Sequence, residues 1–142
     1  MGDPAANEAL VRRLVDELVN GGRLELFDEV LSEDFVAHGV GPGLPPGPDG
    51  MRALVRTWRR AFPDWQDTIH ELVANDELVS FRITARGTHT GRLLDIEPTG
   101  EPVEWEMLEM VRVRDGRICE QWGHSNFHEV VARLRRAAAV SH

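Results

Sequence analysis

Around Pro63 the chain changes its hydrophobic period: apolar residues before it recur at helical spacing, and those after it alternate. The two patterns are not interchangeable, because a helix and a strand return side chains to one face at different intervals. Helices must therefore come first and a sheet second, which is an α+β arrangement.

From Asn7 to Asn20 the residues Leu10, Val11, Leu14, Val15, Leu18 and Val19 fall on one helical face, with Asn7 read as the cap and Gly21-Gly22 as the stop. A shorter helix carries Leu24, Phe27, Val30 and Leu31, and Asp34 to His38 reads as a brief extended segment. The Gly39–Pro48 run breaks regular structure and is either a lid beside a pocket or a plain surface connection. Asp49 is expected to cap a third helix reaching Phe62, with Met51, Leu54, Val55, Trp58 and Phe62 facing inward. Turn signals at Asn75-Asp76, Pro98-Thr99-Gly100 and Asp115-Gly116 then divide a meander of strands, Gln66–Ala74, Leu78–Thr90, Val103–Arg114 and Arg117–Ser125. A closing helix runs from Phe127 to Ala138. Strands this long twist, so the expected result is a cone: a curved antiparallel sheet covered by the N-terminal helices and enclosing one pocket.

The 142 residues suffice for one core, so residues 1–142 are read as a single domain. A formal charge of −8 argues against a nucleic-acid partner. All sixteen basic residues are arginine, which excludes Schiff-base or lysine-base chemistry from this chain. Cys119 stands alone, so no intrachain disulfide forms, and it is read as a half-buried strand thiol. Residues 1–8 lack the features of a secretory signal and no apolar run is long enough to span a bilayer, so a cytoplasmic protein without membrane contact is expected. The six histidines are scattered without metal-ligand spacing and glycine-rich nucleotide loops are absent; no metal and no cofactor are expected.

The ordered series Phe62-Pro63-Asp64-Trp65, Leu78 to Arg82, Arg86-Gly87-Thr88-His89-Thr90-Gly91, Pro98-Thr99-Gly100, Arg112 with Asp115-Gly116-Arg117-Ile118, and Glu120-Gln121-Trp122 resembles the SnoaL-like polyketide cyclases across nearly the whole chain. The resemblance implies the nuclear-transport-factor-2-like fold, shared with ketosteroid isomerases and limonene epoxide hydrolases. It also implies a homodimer and cofactor-independent ring closure in secondary metabolism, such as antibiotic biosynthesis, by intramolecular aldol condensation of a small hydrophobic or aromatic metabolite. Hydroxylase-like, isomerase and epoxide-opening relatives, or a non-catalytic metabolite-binding protein, are the alternatives. The sequence departs from the cyclase pattern in one place: four residues after Trp122, where the family carries an aspartate, stands Asn126, and the Gln-Leu-Gly ending of many relatives is absent.

Proton transfer at a carbonyl compound needs a base, a donor for the developing oxyanion and an apolar wall. His38, which by local register resembles the general base of ketosteroid isomerases, is the first candidate base, the alternative being a structural histidine. Glu120, Trp122, His124 and Asn126 share parity on the last strand; if that face is concave, Trp122 stacks on substrate, His124 and Asn126 supply acid or hydrogen-bond donation, and Glu120 orients a neighbour. The alternative makes Glu120 a surface charge and Trp122 core. Arg82, as a buried partner of Glu120 or Glu106, would suit epoxide opening, whereas a solvent-facing arginine is the ordinary reading. Trp105, with Trp122, is a candidate pocket wall, and Trp65 a further substrate-binding candidate. His89 and Asp64 are read as turn residues. The odd-parity or the even-parity apolar face of Val103–Val113 is the expected dimer surface.

Overall fold

The computed structural model describes residues 2–39 and 44–140. Of the Gly39–Pro48 run, read as either a lid or a plain surface connection, residues 40–43 lie outside the described residues.

Helix α1 spans Pro4–Arg13 and passes without a break into a π-helical segment, Leu14–Asn20. Its cap is Asp3, whose carboxylate accepts from the Ala5 N–H at 3.0 Å, and proline at the first turn costs no hydrogen bond. Asn7, expected as the cap, is instead buried and donates through Nδ2 to the Asn75 carbonyl at 3.0 Å, tying the helix to a strand turn. The predicted apolar face is buried as expected, with Val11, Leu14, Val15, Leu18 and Val19 all in the core. Gly22 (φ +68°) takes a backbone conformation that side chains with a Cβ resist, so the helical run stops there.

A short turn of 3-10 helix, Leu24–Leu26, and helix α2, Phe27–Val30, lead into strand β1, Leu31–His38. Helix α3 covers Pro48–Ala61, capped at Gly47 with Pro48 behind it, while Asp49 lies within the first turn and pairs with Arg52. Phe62 follows with no exposed surface; truncating such a side chain to alanine costs about 3–5 kcal/mol. Strands β2 (Gln66–Ala74), β3 (Leu78–Thr88), β4 (Pro102–Arg114) and β5 (Arg117–Ser125) follow, then helix α4 (Phe127–Val140).

The sheet is curved and open, with order β1-β5-β4-β3-β2. Strands β2 to β5 form the expected antiparallel meander, but β1 adds a fifth strand, parallel to β5, with Leu31 opposite Ile118 and His38 opposite Trp122. Register aligns side chains into rows across the concave face: Asp67, Ala85 and Trp105; Leu72, Phe81, Glu109 and Gly123; Ala74, Val79, Val111, Gln121 and Ala37. The intervening rows lie on the convex face, among them Glu71, Arg82, Leu108 and His124, and Met110, Trp122 and His38. Between β4 and β5 the register slips at Arg112/Val113, where Cys119 is the extra residue; its thiol is buried and lies 3.6 Å from the Arg112 carbonyl. Among the described residues no helix is long and apolar enough to cross a membrane.

Candidate active site

The concave face and the helices packed on it enclose a cavity of about 450 Å³. Its helical wall comes from Leu14, Val15 and Val19 of the π-helical segment and from Met51, Leu54, Val55 and Trp58 of α3. The sheet contributes Phe81, Ile83, Trp105 and Met107, and Trp65 and Phe127 close the sides. Trp58 is the hub of the aromatic wall: its ring meets Phe127 edge-on at 4.2 Å between centroids, Trp65 at 5.9 Å and Trp105 at 6.0 Å.

Two carboxylic acids interrupt this apolar lining, Asp67 on β2 and Glu109 on β4. Asp67 is buried, and its Oδ1 accepts from the Trp65 indole N–H at 2.7 Å. Burial pushes its carboxyl up to about 6, against which the single indole bond works. Glu109 sits between Phe81 on β3 and Gly123 on β5, and its Oε2 accepts from Gln121 Nε2 at 2.6 Å. Desolvation raises Glu109 to about 7; the Gln121 bond opposes the rise and the nearby charge of Asp67 adds to it. The other half of the Gln121 amide, Oε1, is buried without a partner among the described residues. A Cβ on Gly123 would stand 2.8 Å from Glu109 Oε2, so the missing side chain is what makes room for the acid.

The backbone of Asp67 is also held. β2 is an edge strand, and on its free side Asn20 Oδ1 accepts from the Asp67 N–H at 2.7 Å while Asn20 Nδ2 donates to the Asp67 carbonyl at 2.9 Å. Arg59 in turn donates to the carbonyls of Val19 and Asn20 at 2.8 and 3.2 Å.

The residues expected at the site from sequence are divided between the two faces. Trp65 and Trp105 line the cavity. Glu120, Trp122 and His124 share a face as expected, but by register it is the convex one, because Gln121 and Gly123 between them face the cavity; His124, exposed near the end of β5, nonetheless borders the cavity beside Ser125. His38 borders the mouth, yet its imidazole stacks on Trp122 at 5.2 Å and its Nε2 lies 2.8 Å from Glu120 Oε2. Arg112 packs over the other part of this cluster, 5.6 Å from the Trp122 ring centre and 3.3 Å from Glu120 Oε1. Asn126 is used structurally: its Oδ1 accepts from the Glu106 N–H at 2.9 Å and its Nδ2 donates to Glu129 Oε2 at 3.2 Å, joining β4 to the start of α4. Arg82 takes the ordinary, solvent-facing place: it lies on the convex face, paired with Glu106 and Glu71. His89 is fully buried, 2.9 Å from Thr99 Oγ1, and Asp64 accepts two bonds from Thr88.

Sequence reading passed over Asp67, Glu109 and Gln121. The signal for Glu109 was present: Val103, Trp105, Met107, Val111 and Val113 share its parity, and it is the one charge among them. Asp67 likewise shares parity with Trp65 and Ile69. Among the described residues there is no cluster of three or more His, Cys, Asp or Glu side chains arranged to hold a metal ion.

Comparison with known proteins places the chain in a family and agrees with the fold. Residues 9–134 match the family described as SnoaL-like polyketide cyclase. Aklanonic acid methyl ester cyclase DauD of Streptomyces sp. (strain C5) is 27% identical over 113 residues, covering 77% of this chain and 69% of the relative. Nogalonic acid methyl ester cyclase of Streptomyces nogalater is 25% identical over 118 residues, covering 81% and 87%. Among solved structures, IdmH from Streptomyces antibioticus superposes with a TM-score of 0.76 at 35% identity, covering 89% of this chain and 96% of that one.

Proposed function

Because the chain belongs to the SnoaL-like polyketide cyclase family, we propose that it is a cofactor-independent cyclase that closes a ring in a polyketide carbonyl compound by aldol chemistry between Asp67 and Glu109. The observation that carries this reading is the pair of carboxyls raised to about 6 and about 7 inside a mostly apolar, tryptophan-walled cavity. Carboxyls displaced toward neutrality in a cleft are suited to proton transfer, and two of them that differ divide the roles of base and acid.

Asp67 ionises first and takes a proton from the carbon beside a carbonyl, leaving an enolate. The enolate carbon bonds to a second carbonyl carbon of the same molecule, and the oxygen of that carbonyl takes the proton of Glu109. Asp67 ends protonated and Glu109 ionised, and one proton passing between them through solvent at the mouth resets the site. Product and substrate are isomers, so nothing is oxidised and no group is transferred.

The ionisable side chains lining the cavity are the acids Asp67 and Glu109 and the histidines His38 and His124, and among the described residues no arginine lines it, which favours a substrate without an anionic group where it enters. The curated relatives act on methyl esters, which are neutral in this way. The epoxide-opening alternative called for Arg82 beside a carboxylate in the pocket; the guanidinium lies on the opposite face of the sheet, and nothing in the cavity takes its place.

The test is mass-spectrometric incubation of the protein with linear and partly cyclised polyketide esters, alongside Asp67→Asn and Glu109→Gln. Each substitution is expected to lower turnover by roughly 100-fold or more while binding, followed by tryptophan fluorescence, persists. Full turnover in both variants would sink the assignment, and tight retention of unchanged compounds by the wild-type protein would make it a binding protein instead.

A further inference from the structure

Strand β2 is the free edge of the sheet opposite β1, and a free edge leaves alternate peptide groups without a strand partner. At Asp67 that vacancy is filled by a side chain. The Asn20 carboxamide presents an acceptor to the residue 67 N–H at 2.7 Å and a donor to its carbonyl at 2.9 Å, the pair of bonds that a neighbouring peptide would supply. Asn20 is itself restrained, since it ends the π-helical segment and Arg59 of α3 donates to its carbonyl and to that of Val19. Helix α3, the π-helical segment and the strand edge therefore meet at one residue, α3 bonding the Asn20 main-chain carbonyl and the strand edge its carboxamide. Two of these three elements also carry the helical wall of the cavity, through Val15 and Val19 on one and Val55 and Trp58 on the other.

We infer that Asn20 is the positioning residue for Asp67: by clamping the residue 67 backbone from the open side of the sheet, it keeps the carboxyl turned into the apolar wall, and Arg59 holds the clamp. The inference rests on Asp67 acting in the proposed reaction, though the clamp itself is a property of the resting protein. Among the described residues only one bond, from the Trp65 indole, holds the carboxyl directly, so the side chain depends on its backbone for its burial. Without the clamp, the start of β2 is free to swing outward at an edge where water can satisfy the released peptide groups. Asp67 then hydrates, and its ionised form is no longer penalised.

The experiment is a carbon-13 NMR titration of the Asp67 carboxyl in the whole protein, for the wild type, Asn20→Ala and Asn20→Ser, with pH–rate profiles of the same three. The alanine variant is expected to titrate at least about one pH unit lower than the wild type, with the acidic limb of the rate profile moving the same way. Its kcat falls at least tenfold with KM changed less than threefold, because the cavity wall that binds substrate is intact. Serine, whose hydroxyl can replace one of the two bonds, is expected to lie between them, and it carries the test if the alanine variant does not fold. An Asp67 titration unchanged in the folded variants would overturn the inference, whatever their activity. Should Asp67→Asn keep full turnover while the Asn20 variants shift the Asp67 titration, the clamp stands and the catalytic assignment falls.

Discussion

Gln121 donates to Glu109 Oε2 at 2.6 Å, and the carbonyl oxygen of the same amide is buried with no partner of its own among the described residues. The bond stabilises the ionised acid and so restrains the rise that burial imposes on Glu109. Gln121→Leu removes the restraint. Glu109 then holds its proton to higher pH, and since the proposed reaction needs it protonated, the alkaline limb of the rate profile moves upward. A pH–rate series on the variant checks this; an alkaline limb moving down would contradict the role given to Gln121.

The wild-type rate profile is expected to be a narrow bell. Asp67 must be ionised and Glu109 protonated, and burial places them at about 6 and about 7. The two limbs report the pair and not either residue alone, because each charge acts on the other. A flat profile between about pH 5 and 8 would mean that neither carboxyl is used.

These same raised values weaken the fold at higher pH. Both carboxyls bind protons more tightly folded than unfolded, so between the ordinary carboxylate range and about 7 the native state holds more protons. Stability is therefore greatest in mild acid and declines as pH rises through the folded values, by on the order of 2–3 kcal/mol for each group. Thermal melts should show Asp67→Asn and Glu109→Gln gaining roughly 5 °C over the wild type near pH 8 and little near pH 4. Equal melting temperatures at both pH values would show that the acids are hydrated.

Gly123→Ala should impair the reaction without unfolding the protein. The added carbon meets the Glu109 carboxylate at 2.8 Å, and the acid must move by a few tenths of an ångström or more. Displacements of that kind at a reacting group cost roughly tenfold or more in kcat, measurable by steady-state kinetics beside an unchanged circular-dichroism spectrum.

The convex cluster gives the opposite expectation. His38 is engaged with Trp122 and Glu120 away from the acids, so His38→Ala is expected to retain turnover within about threefold. A loss comparable to that of Asp67→Asn would return His38 to the centre of the mechanism.

Much of the architecture was legible because periodicity reports directly on which face is buried. The switch at Pro63, the face of Leu14, Val15, Leu18 and Val19, and all four meander strands were recovered to within two residues. The parallel addition of β1 was not, because an eight-residue segment pairing with a strand over eighty positions later leaves no local pattern. The site was half legible. Parity correctly grouped Glu120, Trp122 and His124, but parity alone does not say which face is concave, and the extra residue at Cys119 reverses the alternation that Ile118 would have started. Asp67 and Glu109 were discernible only by asking which charge stands alone on an apolar face.

The parallel pairing of β1 with β5 also bears on how the molecule comes into being. Leu31 and His38 find their partners only at Ile118 and Trp122, so the first strand of the sheet waits on the last. A ribosome that has released everything through β4 has delivered Asp67, Glu109 and most of the aromatic wall, but neither Gln121 nor the strand against which β1 closes. Until β5 emerges, a nascent chain carries an apolar concave surface with one side open, and this is the interval in which a chaperone would find it.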